Sequence, residues 1–157
     1  MIIEICAVPH SSPNKFLEKE IHGDAKVHFD KKNIVRKVET VDKGEFSNKL
    51  KSKINSLDIK NKIYGILFEK EFNRENYIEA IAFYRSSMLY PLIEILRIKY
   101  SPFRYNFRTR YVYYDLPKDI VDRLENLFFI KDPIELESKY KEANRWFLEL
   151  IEELKNT

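Results

Sequence analysis

Glycine is almost missing from this chain: Gly23, Gly44 and Gly65 are the only three among 157 residues. Phosphate-cradling loops need glycines clustered within a few positions, so neither a G-x-x-x-x-G-K-[ST] loop nor a G-x-G-x-x-G turn can form. A single cysteine, Cys6, excludes an intramolecular disulfide and fits a reducing cytoplasm. The three histidines, His10, His22 and His28, stand at no metal-ligand spacing from one another, so with one cysteine no zinc site is assembled. The G-x-S-x-G elbow of serine hydrolases is missing too. No apolar run approaches the ~20 residues of a membrane span. The opening M-I-I-E-I-C-A-V-P carries Glu4 and no basic leader, which argues against a signal peptide. Many Lys, Glu and Ile with few Gly give the chain a thermophile-like composition.

Charge and aromatic rings are what the chain has in quantity. Its 28 Lys and Arg exceed its 25 Asp and Glu by only three, too small a balance to argue for nucleic acid alone. The distribution says more. From Arg97 to Arg110 there are five basic residues, Arg97, Lys99, Arg104, Arg108 and Arg110, and no acid. The same stretch, K-Y-S-P-F-R-Y-N-F-R-T-R-Y-V-Y-Y-D over 99–115, places rings at the odd positions Phe103, Tyr105, Phe107, Tyr111 and Tyr113. Arg104, Arg108 and Arg110 fall on even ones. In an extended chain this period of two separates rings from guanidiniums. Guanidiniums grip phosphates and rings stack on bases, so the segment suits a nucleotide or RNA. The competing reading is a connector that docks its rings on a helical core and leaves its arginines in water.

At this length the chain forms one domain, or one domain with a small appendage. Residues 1–42 read as short strands with one brief helix at 13–21. A-K-V-H-F-D and I-V-R-K-V-E-T-V, separated by Lys31-Lys32-Asn33, have the alternation of a β-hairpin. From Lys43 the period becomes helical. A first helix runs from near Phe46 toward Phe72, either as one long helix or as two shorter ones divided at Asp58, and a second from about Arg74 to Tyr100. Pro91 kinks the second, since its ring removes a ladder bond and clashes with the Ser87 carbonyl, and Ser86 or Ser87 can satisfy a freed group. Pro117 opens a third helix. Asp132-Pro133-Ile134-Glu135 opens a fourth, with Asp132 as N-cap and Glu135 placed for a capping box. The expected class is therefore α+β: an antiparallel bundle of about four helices over 43–157 with a small N-terminal hairpin element.

Arg85 is the most unusual single residue. At 100° per residue it falls within the stripe of Ile78, Ala82, Leu89, Leu92 and Leu96 on a helix expected at the bundle centre. A buried arginine must pair with an acid or face a ligand. Both readings are carried forward. Glu94 and Arg97, three apart, are expected to pair with each other. Asp24 and Asp30 read as turn residues.

The stretch F-Y-R-S-S-M-L-Y-P-L-I-E-I-L-R-I-K-Y-S-P-F-R-Y-N-F-R-T-R-Y-V-Y-Y-D-L-P, residues 83–117, resembles the helical C-terminal portion of nucleotidyltransferase-domain proteins related to aminoglycoside adenylyltransferases. L-E-N-L-F-F-I-K-D-P-I-E-L-E and N-R-W-F extend the likeness, and G-D-A-K-V-H-F-D-K adds weakly to it. The family transfers a nucleoside monophosphate with a catalytic head in which a G-S motif and a D-x-D pair hold magnesium and phosphates. This chain has no Gly-Ser dipeptide and no D-x-D, and only Glu4 matches the place of the family's third acid. One acid cannot organise a two-metal site.

The resemblance thus implies a substrate- or nucleotide-binding helical domain that is not catalytic alone. Mg and a nucleoside triphosphate enter only if another chain supplies the head. The alternative is a nucleotide- or RNA-binding module of HEPN type, although with no histidine after His28 the R-x(4–6)-H motif of an active HEPN ribonuclease is missing. A second protein chain or a homo-oligomer is the expected protein partner. The anion and nucleotide contacts expected are Arg85, Arg104, Arg108 and Arg110, with Tyr105 and Tyr111 as stacking residues.

Overall fold

The computed structural model describes residues 5–9, 11–12, 18–32 and 40–156, which divide into two units, Met1–Phe46 and Ser47–Thr157. In the first unit the only complete helix among the described residues is the single turn α1 (Lys19–His22). It stops at Gly23, whose φ of 80° lies in the left-handed region that a side chain disfavours. The expected hairpin is overturned as far as it can be followed. Residues 25–30 form no strand, and Val27 and Phe29 lie exposed. A two-stranded ribbon needs an apolar face to cover it, and this segment has none. Residues 33–39 of the second arm, Glu4, and most of the helix expected at 13–21 lie outside the described residues. Among the described residues no strand occurs, so the class is all-α rather than α+β.

The long helix α2 (Lys43–Asn73) begins within the first unit, where Asp42 Oδ1 accepts from the Glu45 N–H at 2.8 Å as an N-terminal cap. It runs without a break past Asp58. That aspartate is buried and accepts from Lys155 Nζ at 2.6 Å and Lys62 Nζ at 3.1 Å, so of the two arrangements open at Asp58 the single long helix is the one that forms.

The second unit is a bundle. The remainder of α2 lies antiparallel to the composite helix α3 (Tyr77–Phe83), a π turn (Tyr84–Leu89) and α4 (Tyr90–Tyr100). Contacts of Lys53 with Glu94, and of Phe68 with Tyr84, fix that direction. A 3-10 segment (Pro102–Phe107) and the single turn α5 (Val112–Asp115) lead to α6 (Lys118–Phe128) and α7 (Pro133–Lys155). The Tyr84 phenol donates to the Leu127 carbonyl at 2.9 Å, tying the π turn to the end of α6, and burial pushes its pKa well up.

Three local signals act as elementary chemistry dictates. Asp132 caps α7 by accepting from the Glu135 N–H at 2.8 Å. Glu135 reaches back one residue further than a capping box, to the Lys131 N–H at 2.6 Å. Gly65 lets α2 approach α7, because a Cβ there would stand 2.9 Å from the Tyr140 phenol oxygen. The Tyr140 ring stacks on Phe68 with centroids 3.8 Å apart. Among the described residues no helix is long and apolar enough to cross a membrane.

The π turn decides which face is buried. The Tyr90 N–H donates to the Arg85 carbonyl five residues back, so one extra residue enters a single turn and the helix surface rotates by about 100°. Ala80 before it and Tyr84 at its start face the core, as do Met88 and Leu89 at its end and Leu92, Ile93 and Leu96 after it. The straight stripe drawn through Ile78, Ala82 and Arg85 is corrected accordingly, and all three are exposed. Pro91 sits immediately after this widened turn, and the Ser86 hydroxyl donates to the Ala82 carbonyl at 2.7 Å.

Candidate functional site

The site is built on a buried arginine that the sequence reading paired wrongly. Arg97 is 0% exposed. Its Nε donates to the Arg108 carbonyl at 2.8 Å, Nη1 to Asp115 Oδ2 at 2.7 Å and to the Arg104 carbonyl at 3.5 Å, and Nη2 to the Arg110 carbonyl. Asp115 is the first acid after the basic run, and its other oxygen takes Arg104 Nη1 at 2.9 Å. Glu94 turns instead to Lys53 Nζ, 2.8 Å away across the α2–α4 interface. A buried guanidinium is tolerated when its charge is matched and its donors are filled, and the 3-10 segment and following loop do both.

This wrapping abolishes the alternation of rings and arginines. The segment is not extended, so odd and even side chains do not divide between two faces. Arg104, Arg108 and Arg110 are brought together through their backbone carbonyls rather than their guanidiniums. Arg104 is held by Asp115 and lies 5.9 Å from the Phe107 ring. Tyr105 is partly buried against the core. Tyr111 is half exposed, tilted against Phe107 at 6.3 Å, and has a left-handed φ of 59°. Arg85 and Arg110 point to solvent, without a side-chain ion pair among the described residues. The internal salt bridge anticipated for Arg85 is therefore replaced by Arg97–Asp115.

Arg108 is the exception. Its φ of 53° and ψ of −128° place a residue bearing a Cβ where L-residues are strained, at a cost on the order of 1–3 kcal/mol. The bond from Arg97 to its carbonyl holds it there. Its side chain has no ion pair among the described residues and lines a cleft of about 560 Å³ between α2 and the π turn. Lys53, Lys60 and Tyr64 line this cleft from α2, and Phe83, Ser86, Ser87, Tyr90 and Glu94 from the composite helix. Because the helices are antiparallel, Tyr64 and Phe83 share one end, Lys60 and the two serines the middle, and Lys53, Glu94 and Arg108 the other. Lys53 and Lys60 are separated by roughly 10 Å of helical rise. One end is aromatic, and the remainder combines Lys60, Arg108 and the two serines with the Tyr90 ring and the Lys53–Glu94 ion pair.

Of the residues lining this cleft, the sequence had pointed to Arg108 as an anion contact, and it had not pointed to Lys60, Tyr64 or Tyr90. The dipeptide Ser86-Ser87 beside Pro91 was the available signal, since a π turn at such a position frequently marks a functional surface. Among the described residues no cluster of three or more His, Cys, Asp or Glu is arranged to hold a metal ion. Comparison with known proteins finds no matching family, no matching curated protein and no matching solved structure.

Proposed function

We propose that the helical unit is a nucleotide-binding domain of nucleotidyltransferase-like type, acting in the cytoplasm and not catalytic alone. The observation that carries this reading is the unpaired Arg108 guanidinium, held by a strained backbone at the rim of a cleft with an aromatic end. Arg108 and Lys60 supply charge for phosphate oxygens, the Ser86 and Ser87 hydroxyls supply further hydrogen bonds, and Tyr64 and Phe83 supply surfaces for a base. Magnesium and the acids that bind it have to come from another chain, since neither D-x-D nor Gly-Ser occurs in this one.

The test is calorimetric titration of the full chain with ATP in magnesium. A charge-assisted contact is worth about 1.5–3 kcal/mol, so Arg108→Ala is expected to weaken binding by about 10- to 100-fold. Arg85→Ala and Arg110→Ala, outside the cleft, are expected to change it less than about twofold. No binding by the parent, or equal binding by Arg108→Ala, overturns the proposal. A second reading, an RNA-binding module of HEPN-like type, draws on the exposure of Arg85 and Arg110. It requires those two residues, rather than Arg108, to set affinity for a short single-stranded RNA and its salt dependence.

A further inference from the structure

The residues that follow Arg108 line a second cavity of opposite character. Thr109, Val112 and Tyr113 face Ile93 of α4 and Val121, Leu124, Glu125 and Phe128 of α6 around a pocket of about 280 Å³. Ile93, Val112, Val121 and Leu124 are core residues, so the floor is apolar and continuous with the bundle interior. Apolar cavities of about 150 Å³ already take up benzene. This one has room for a two-ring system, with the faces of Tyr113, Phe128 and Phe129 at its walls.

Its single charged lining residue is Glu125. One carboxylate oxygen accepts from the Tyr113 phenol at 2.9 Å; the other has no bond among the described residues. Elsewhere on α6 Asp119 and Asp122 are offset by Lys118 and Arg123, with Lys118 Nζ 3.4 Å from Asp122, so the charge at the pocket is that of Glu125 itself. An acceptor-only carboxylate beside an apolar floor selects a ligand with an aromatic body and a cationic head.

We propose that this pocket binds a small aromatic amine, its ring system between α4 and α6 and its ammonium group on Glu125. The site is independent of the nucleotide reading, because Arg108 faces the other cavity and contributes nothing to this one.

The full chain is titrated calorimetrically with tryptamine and with indole at pH 7. Both are expected to bind, tryptamine at least fivefold more tightly. Glu125→Gln is expected to remove that preference while leaving indole affinity unchanged. Thr109→Trp, at an exposed rim position, is expected to fill the mouth and abolish binding of both, with an unchanged cooperative melt showing that the variant folds. Arg108→Ala is expected to leave tryptamine binding intact. Failure of both probes to bind the parent overturns the site, as does their survival in Thr109→Trp. Equal affinity of the two probes for the parent, or a preference that persists in Glu125→Gln, overturns the assignment of the amine.

Discussion

Arg97 and Arg108 lie eleven residues apart and are joined by one hydrogen bond, yet they occupy opposite physical regimes. Arg97 sits in the interior with its donors directed at three carbonyls and a carboxylate. Arg108 lends its carbonyl to that arrangement and keeps its guanidinium at the cleft. The difference teaches that an arginine-rich segment has no single meaning. Burial turns one guanidinium into the anchor of a loop, and exposure beside hydroxyls and rings leaves another accessible.

The comparison breaks most sharply if Arg97 is dispensable. Arg97→Ala removes one of the two partners of a nearly buried Asp115, leaving Arg104, and orphans three carbonyls, so the loss falls at the lower end of the about 3–5 kcal/mol that breaking a buried pair costs. Urea unfolding should show that loss; a variant as stable as the parent would mean the loop holds its shape without the clamp. The opposite sign is expected at Arg108. Arg108→Gly relieves the left-handed strain and should raise stability by about 1 kcal/mol in the same measurement, while ATP affinity falls as for Arg108→Ala.

Asp58 sharpens the comparison as a buried charge satisfied across the bundle. The hydrogen bond from Lys155 holds its carboxyl below the usual aspartate value, assisted by Lys62 and opposed by burial. A folded value lower than the unfolded one means that its stabilisation is complete above about pH 4 and disappears as pH falls through the lowered value. Lys155 is partly exposed, so the contribution is screened to about 1 kcal/mol or less. Acid unfolding curves of Asp58→Asn and the parent should therefore converge at low pH and separate above it. The smallest effect belongs to Arg85→Ala, expected within about 0.5 kcal/mol of the parent because the residue is exposed. A larger loss would return Arg85 to the interior and undo the phase shift at the π turn.

That phase shift also marks where sequence reasoning stopped. The stops and starts of the later helices were legible, because a cap such as Asp132 or a proline such as Pro117 acts on its own few residues. Arg108 was named as an anion contact from its chemistry alone, a role that the ATP titration tests. Arg85 was misplaced because a uniform 100° rotation cannot reveal an extra residue inserted at Tyr84–Leu89. Arg97 was missed as a consequence, and the 3-10 wrapping of the rings around it could not be read from an alternation that also suits an extended strand. The hairpin failed for a similar reason: alternating residues at 25–30 state a preference that only a covering apolar surface can realise.

By itself the sequence determined that residues beyond Lys43 are helical, that no glycine-rich phosphate loop exists, and that basic and aromatic groups concentrate between Arg97 and Asp115. These follow from local rules of propensity, capping and composition. Only the tertiary structure decided which arginine is architecture and which is surface, and that the cleft draws Lys60 and Tyr64 from a helix far away in the chain. Burial and partnership are properties of elements packed together, and a single extra residue in one turn was enough to exchange them.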